Sequence, residues 1–427
     1  MKTKLLKFVA DLRFAISILL TISFCSIIGT VIEQDQSIQV YKLNYPITNK
    51  LFGFLSWETI LQFGLDHVYK TWWFLCLILI FGISLLTCTF LQQFPSIKVA
   101  RRCQFFRTSE PFARLKISTI LTKQAITKLI ANIKSGNYSL FQQKDLFYSY
   151  KGLTGRIAPI IVHFSMILIL LGTIVSSIGG FKAQEIVPKT ENFHVQNIFT
   201  NGQFTKIPHL SGRINDFWIT YTNQKTVSQF YSDISILDTD GNEISRQTSF
   251  VNSPAIYRNI YFYQTDWNLI GLRLNYGNDQ ILEYPLVNNS NNKTKVWLTW
   301  VSTTENLTNG FIAVIDNLQG YCSFYNNQGQ FLGNLELNET VTSKKSFVND
   351  SNIQLVDILS STGLQIKTDP GIPIIYTGFF FLMISTLISY ITYSQIWIYQ
   401  NNYQIFVGGN TTRATFEFEL EFFNYIK

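Results

Sequence analysis

The sequence predicts a membrane α-helical protein. It has four transmembrane helices, a large extracytoplasmic β-rich, sandwich-like domain between helices three and four, and a small C-terminal β-hairpin. Three observations predict this. Of 427 residues, 47% are hydrophobic and 15% aromatic, and the apolar ones gather in four runs: Phe14–Ile32, Trp72–Leu91, Ile157–Ile178 and Ile372–Ile391. Each run can cross a hydrocarbon core of about 30 Å at roughly 1.5 Å per residue. The charge is partitioned along the chain. The long stretch between the third and fourth runs alternates apolar and polar residues between turn signals, the pattern of strands.

Residues 1–32 form an N-terminal segment and the first span. That run exceeds a usual signal-peptide core, and no small-residue cleavage site follows in "GTVIEQDQ", so it reads as an uncleaved helix. Residues 33–71 are a loop on the outer side. It closes with "LDHVYKTWWF", whose Trp72 and Trp73 suit an interfacial aromatic belt. Residues 72–91 are the second span. The loop 92–156 carries twelve Lys/Arg against Glu110 and Asp145, and Lys2, Lys4, Lys7 and Arg13 precede the first span or open it. Positive loops stay on the side of synthesis. The N-terminus, this loop and the tail therefore belong to the cytoplasm or stroma, and 33–71 and 179–370 to the opposite side. The basic residues do not form a compact patch interleaved with aromatics, so they signal topology rather than nucleic-acid binding.

Within that loop, "KQAITKLIANIKSG" puts Ala125, Ile126, Leu129, Ile130 and Ile133 on one helical face, and Gly136 stops it. "YSLFQQKDLFYSYKG" alternates like a hairpin leading into the third span, 157–178. Residues 179–370 hold thirteen Lys/Arg against seventeen Asp/Glu. There "YSDISILDTDGNEISRQTSFVN" is a hairpin about Asp240-Gly241. "NIYFYQTDW", "IGLRLNYG", "KVWLTWV" and "NGFIAVIDN" read as further strands. The Asn-x-Ser/Thr triplets at Asn288, Asn292, Asn306 and Asn338 are what chance yields in an Asn-rich chain. After the fourth span, 371–391, residues 392–427 alternate on both sides of Gly408-Gly409-Asn410 and predict a second hairpin.

The five cysteines are Cys25, Cys76 and Cys88 in spans, Cys103 in the basic loop and Cys322 in the β domain. One cysteine cannot close a disulfide within that domain. No C-x-x-C or C-x-x-C-H occurs, which excludes a thioredoxin-like pair and covalently held c-type haem. Cys103 stands beside Arg101 and Arg102, and neighbouring cations lower a thiol pKa. A redox or regulatory thiol there stands against the plain reading of an inert loop cysteine.

Four histidines remain. His163 lies inside the third run, about 10 Å in from Arg156 at helical rise. Polar groups in spans are costly, face protein and usually serve function. A neutral imidazole there needs a hydrogen bond, a metal or a proton path. It is therefore a haem ligand or proton carrier, or it donates to a neighbouring helix. His67, before the second span, could cap it or act as a ligand. His194 and His209 read as surface residues. A bis-histidine haem needs two intramembrane histidines, and this chain has one. A second axial ligand would have to come from another polypeptide.

Several segments together resemble the CcsB/ResB family of cytochrome c biogenesis proteins of system II. They are "ADLRFAISILLTISFCSIIGTVIEQ", "LDHVYKTWWFLCLILI", "KGLTGRIAPIIVHFSMILILLGTIVSSIGGF", "VNSPAIYRNIYFYQTDW" and "YQIFVGGNTTRATFEFELEF". The resemblance runs nearly end to end. It implies a subunit of a haem-lyase complex, with no catalytic residue of its own, that delivers haem across the membrane for attachment to c-type apocytochromes. It implies a CcsA/ResC-type membrane partner bearing a Trp-rich loop, and a thioredoxin-like thiol reductant. His163 matches the family's intramembrane histidine and would supply one axial ligand. The Trp-rich loop is absent, because "WWF" at Trp72–Phe74 lies at a span edge. The expected site is a plastid thylakoid, with termini in the stroma and the β domain in the lumen, or a cyanobacterial membrane. A membrane scaffold holding the partner and apocytochrome is the competing reading. A stand-alone transporter is disfavoured, since the spans show no repeat or broken helix pair.

Overall fold

A computed structural model describes residues 2–48, 50, 55–122, 126–224, 226–276, 280–289, 295–302, 310–337, 353–401 and 404–426. The four apolar runs are helices at Leu12–Val31, Trp72–Cys88, Ala158–Gly179 and Ile372–Ser389. Each belongs to a helix long and apolar enough to cross a bilayer, and the chain is a multi-pass membrane protein. The second helix does not stop at Leu91. It widens into a π turn over Thr89–Gln93 and runs on as Phe94–Ala100. Pro95 explains the widening, because a proline inside a regular helix clashes with the carbonyl one turn back. The N-terminal segment is itself a helix, Lys2–Val9, and Asp11 restarts the chain by accepting from the Arg13 N–H at 2.9 Å.

The chain divides into two compact units, residues 1–177 with 371–427, and residues 178–370. In chain order the strands of the first unit before the third span are β1 (Ile117–Thr122), β2 (Ser139–Gln143) and β3 (Leu146–Lys151). The second unit opens with β4 (Phe181–Pro188), β5 (Asn192–His194), β6 (Ile198–Asn201), β7 (Ser211–Tyr221), β8 (Val227–Leu237) and β9 (Glu243–Phe250). It continues with β10 (Ala255–Tyr257), β11 (Ile260–Tyr276), β12 (Gln280–Pro285), β13 (Val287–Asn288), β14 (Trp297–Ser302), β15 (Gly310–Ile315), β16 (Tyr321–Tyr325), β17 (Phe331–Glu336) and β18 (Ile353–Thr368). After the fourth span come β19 (Ser394–Gln400) and β20 (Gln404–Thr411).

In the first unit, Ile18, Phe81 and Leu85 form a buried cluster with Met166, Ile167 and Leu170, which joins spans one, two and three. Span four approaches span three through small residues. A Cβ on Gly378 would stand 3.0 Å from the Ser165 carbonyl oxygen, the close backbone approach that lipid-embedded helices favour. The loop 33–71 folds around Ile32, Tyr41 and Ile60. Trp72 is exposed, as a belt residue would be, whereas Trp73 donates its Nε1–H to the Phe63 carbonyl at 3.2 Å.

The loop 92–156 and the tail, expected as separate pieces, build one antiparallel sheet in the order β1-β20-β19-β3-β2. The expected helix forms over Ile126–Ser135 and buries Leu129 and Ile133 on that sheet, while Ala125 lies outside the described residues. The tail hairpin is present, but its turn follows Gln400 instead of falling at Gly408-Gly409-Asn410. Both glycines sit inside β20, pressed from the two sheet faces. A Cβ would lie 2.5 Å from Leu115 Cδ1 at Gly408 and 2.6 Å from Phe418 Cζ at Gly409. "TFEFELEF" is not a strand. Helix Thr415–Ile426 places Phe418 and Phe422, four apart, onto the sheet. Its Phe/Glu alternation imitates a strand pattern.

The second unit is β-rich, as expected. A six-stranded sheet runs β10-β11-β18-β4-β6, with β12 also on β11. It shares one core with the four-stranded sheet β5-β7-β8-β9, around Phe262, Ile234 and Leu364. It shares another with the five-stranded meander β13–β17, around Leu272, Trp297 and Leu355. The two predicted strands "NIYFYQTDW" and "IGLRLNYG" are one, β11, of 17 residues. Register shifts against β18 between Gln264 and Asp266, Leu269 and Gly271, and Arg273 and Leu274 let the pair serve both cores. The Asp240-Gly241 turn is as expected, with Gly241 at φ 84° and the Asn242 N–H donating to Asp238 Oδ1 at 2.7 Å. Asn288 is exposed, and Asn292, Asn306 and Asn338 lie outside the described residues.

Candidate functional site

The entrance to the third span is set by "GLTG", residues 152–155. Gly152 has φ 75°, and a Cβ there would stand 2.0 Å from the Thr392 carbonyl oxygen. At Gly155 a Cβ would meet the Ile391 carbonyl oxygen, also at 2.0 Å. Only glycine lets this backbone lie against the segment leaving span four. The tight turn, a 3-10 helix over Leu153–Arg156, then feeds the span that carries His163.

His163 is half-buried, and its Nδ1 lies 2.8 Å from Thr89 Oγ1. Thr89 opens the π turn of the second span and is buried. Its hydroxyl donates to the Leu85 carbonyl at 2.7 Å. A hydroxyl has one proton, so toward the imidazole it accepts. While the hydroxyl donates to Leu85, a neutral His163 carries its proton on Nδ1 and Nε2 keeps its lone pair. Nε2 makes no hydrogen bond to a described residue. A ring nitrogen oriented in this way by a partner on the other nitrogen is how proteins present an imidazole to a metal. The residues present thus fit one axial ligand to haem iron, and one only.

Arg156, two turns before His163, is held by its surroundings. Its guanidinium carbon stands 4.9 Å over the Tyr393 ring, and Nη1 donates to Ser96 Oγ at 3.4 Å. Tyr393 is pinned in turn, donating to the Ala100 carbonyl at 2.9 Å, with the Tyr148 hydroxyl at 3.2 Å. Arg156 Nε is buried without a hydrogen-bond partner among the described residues.

The other expected candidates do not join this group. His67 Nδ1 lies 2.9 Å from Asp66 Oδ1, in an exposed position before Trp72. The helix from Trp72 to Thr89 separates it from His163 by about 26 Å of rise. His194 and His209 are exposed in the second unit. Cys103 is an exposed free thiol, and Cys322 is buried in the second unit, where burial pushes its thiol up to about 12. Sequence reasoning missed Thr89, although a hydroxyl residue in the apolar "LLTCTFL" was a readable signal. Tyr393 had none, because it reaches Arg156 only through the tertiary fold.

The sequence pattern of the ResB-like family matches residues 12–293 and 277–423. The chain is 67% identical to "Cytochrome c biogenesis protein Ccs1" of Thalassiosira pseudonana over 427 residues, 100% of each chain. It is 65% identical to the protein of that name in Phaeodactylum tricornutum, also over 100% of each. It is 42% identical to "Cytochrome c biogenesis protein CcsB" of a Picosynechococcus species, over 99% of this chain and 90% of that protein. With matches spanning both ends, every span and the histidine-bearing helix, the chain belongs to the ResB-like family.

Proposed function

We propose that this chain acts in c-type cytochrome maturation as the half of a membrane complex that ligates and passes on haem. The observation that carries the reading is the 2.8 Å contact of His163 Nδ1 with Thr89 Oγ1, with Nε2 making no hydrogen bond to a described residue. Thr89 holds the ring through Nδ1. The second axial ligand comes from a histidine of a CcsA/ResC-type partner. The β-rich unit, on the far side of the membrane, meets apocytochromes whose cysteines a thioredoxin-like protein keeps reduced. The twelve Lys/Arg of the loop 92–156 support a stromal side for that loop and a lumenal side of a thylakoid for the β unit.

The test is haem per complex at matched protein level, measured by the Soret band after purification with the partner. His163→Ala should lose haem and stop cytochrome c maturation, and added imidazole should partly restore both. His163→Phe should lose haem and resist imidazole, because its ring fills the vacancy. Full haem occupancy and normal cytochrome c in His163→Ala would overturn the ligand role. The scaffold reading expects less assembled complex in both variants and no response to imidazole.

A further inference from the structure

We propose that Arg156 is the docking point for a propionate carboxylate of the haem held at His163. The proposal rests on the ligand reading of His163 and adds the residue that orients the porphyrin. Arg156 ends the 3-10 turn Leu153–Arg156 and His163 lies in the helix that follows, about 10 Å further along at helical rise, and both meet the second helix, His163 at Thr89 and Arg156 at Ser96. That separation is comparable with the reach from a porphyrin's iron to its propionates. A haem held through Nε2 of His163 would reach Arg156 with the edge that carries its propionates. The propionates are the charged edge, and Arg156 sits where the span enters the membrane.

The guanidinium is built to receive an anion. It has no carboxylate partner among the described residues. Its contacts are the Tyr393 ring face, a long hydrogen bond to Ser96, and a buried Nε with nothing to bond. A partly buried cation without a counter-ion is costly, and a fork of N–H groups matches a carboxylate. The socket is prepared in advance: the Tyr393 ring is fixed by Ala100 and Tyr148, and the turn before Arg156 by the two glycines that only fit as glycine. The residue as a whole stays half-exposed while Nε is sealed, so its exposure lies on its other atoms.

The experiment compares haem with haem dimethyl ester, in which both propionates are blocked and the iron is unchanged. Each is titrated into the complex purified with its partner, using wild type, Arg156→Gln, Arg156→Lys and His163→Ala. Wild type should favour the free acid by about tenfold or more, the loss expected for a charge-assisted bond. Arg156→Gln should bind acid and ester alike, and Arg156→Lys should keep part of the preference. Equal binding of acid and ester by wild type, which needs no variant to fold, would overturn the proposal. So would a preference that survives in Arg156→Gln. An equal weakening of both ligands in Arg156→Gln would give the arginine to a lipid phosphate or to structure. If His163→Ala binds haem as wild type does, the ligand reading itself fails and takes this inference with it.

Discussion

Thr89→Val is the sharpest probe of the His163 geometry. Valine keeps almost the same volume and removes the one hydroxyl that both donates to Leu85 at 2.7 Å and accepts from His163 Nδ1 at 2.8 Å. The Leu85 carbonyl is within a helix and loses only an extra partner. The imidazole loses its acceptor in an apolar setting. Either its N–H is stranded, or the proton moves to Nε2 and blocks the ligating nitrogen. A stranded buried donor costs about 1–3 kcal/mol, or about 5- to 150-fold in affinity. Loss of a group that orients a metal-bound histidine weakens metal affinity by about 10- to 100-fold. Haem titration of the complex at matched protein should therefore show Thr89→Val weakened by one to two orders of magnitude. Thr89→Ser, which keeps the hydroxyl, should stay near wild type. Wild-type affinity in Thr89→Val, or an equal loss in Thr89→Ser, would refute the tautomer argument.

Gly378→Ala should destabilise the span bundle by about 1–3 kcal/mol, because its Cβ would lie 2.7 Å from Ile169 Cγ1. Gly82→Ala, whose nearest neighbour is 3.9 Å away, should be neutral, and thermal survival in detergent reads the difference. Cys322 should resist maleimide at pH 8 in the folded chain while Cys103 reacts; equal labelling of both would contradict the burial. Burial raises the Cys322 pKa from 9.0 to about 12. Its contribution to stability is thus complete below pH 9 and fades as pH climbs toward 12, visible as a falling melting temperature. A reporter after Lys427 should share a side with one in the loop 92–156 and oppose one inserted at Gly241, a turn with open space around it. Finding all three on one side would break the four-span topology.

The spans were legible because length and hydropathy are local quantities, and His163 because one polar residue in an apolar run stands out. The Asp240-Gly241 hairpin was legible for the same reason. What escaped was non-local. Nothing near Tyr148 announces that it pairs with Trp397, and only that pairing reveals one sheet made from the loop and the tail. The tail helix escaped because alternating Phe and Glu fits a strand, whereas the choice was made by Phe418 and Phe422 meeting the sheet. β11 looked like two strands because its bulges interrupt the alternation.

That composite sheet sets an order of events during synthesis. β3 is made before the third span, yet its neighbour β19 follows the fourth, some 250 residues later. Until the last span has threaded the bilayer, β3 has an open edge, and Phe147 and Tyr148 lack their cross-strand neighbours Ile398 and Trp397. Tyr393 arrives with the same late segment, so the arginine socket also closes last. A ribosome that stops short of residue 390 leaves a chain that holds His163 against Thr89 but lacks the Tyr393 ring beneath Arg156. Completion of the tail is therefore the step that closes the sheet, and until then the fragment carries an exposed strand edge open to wrong pairing.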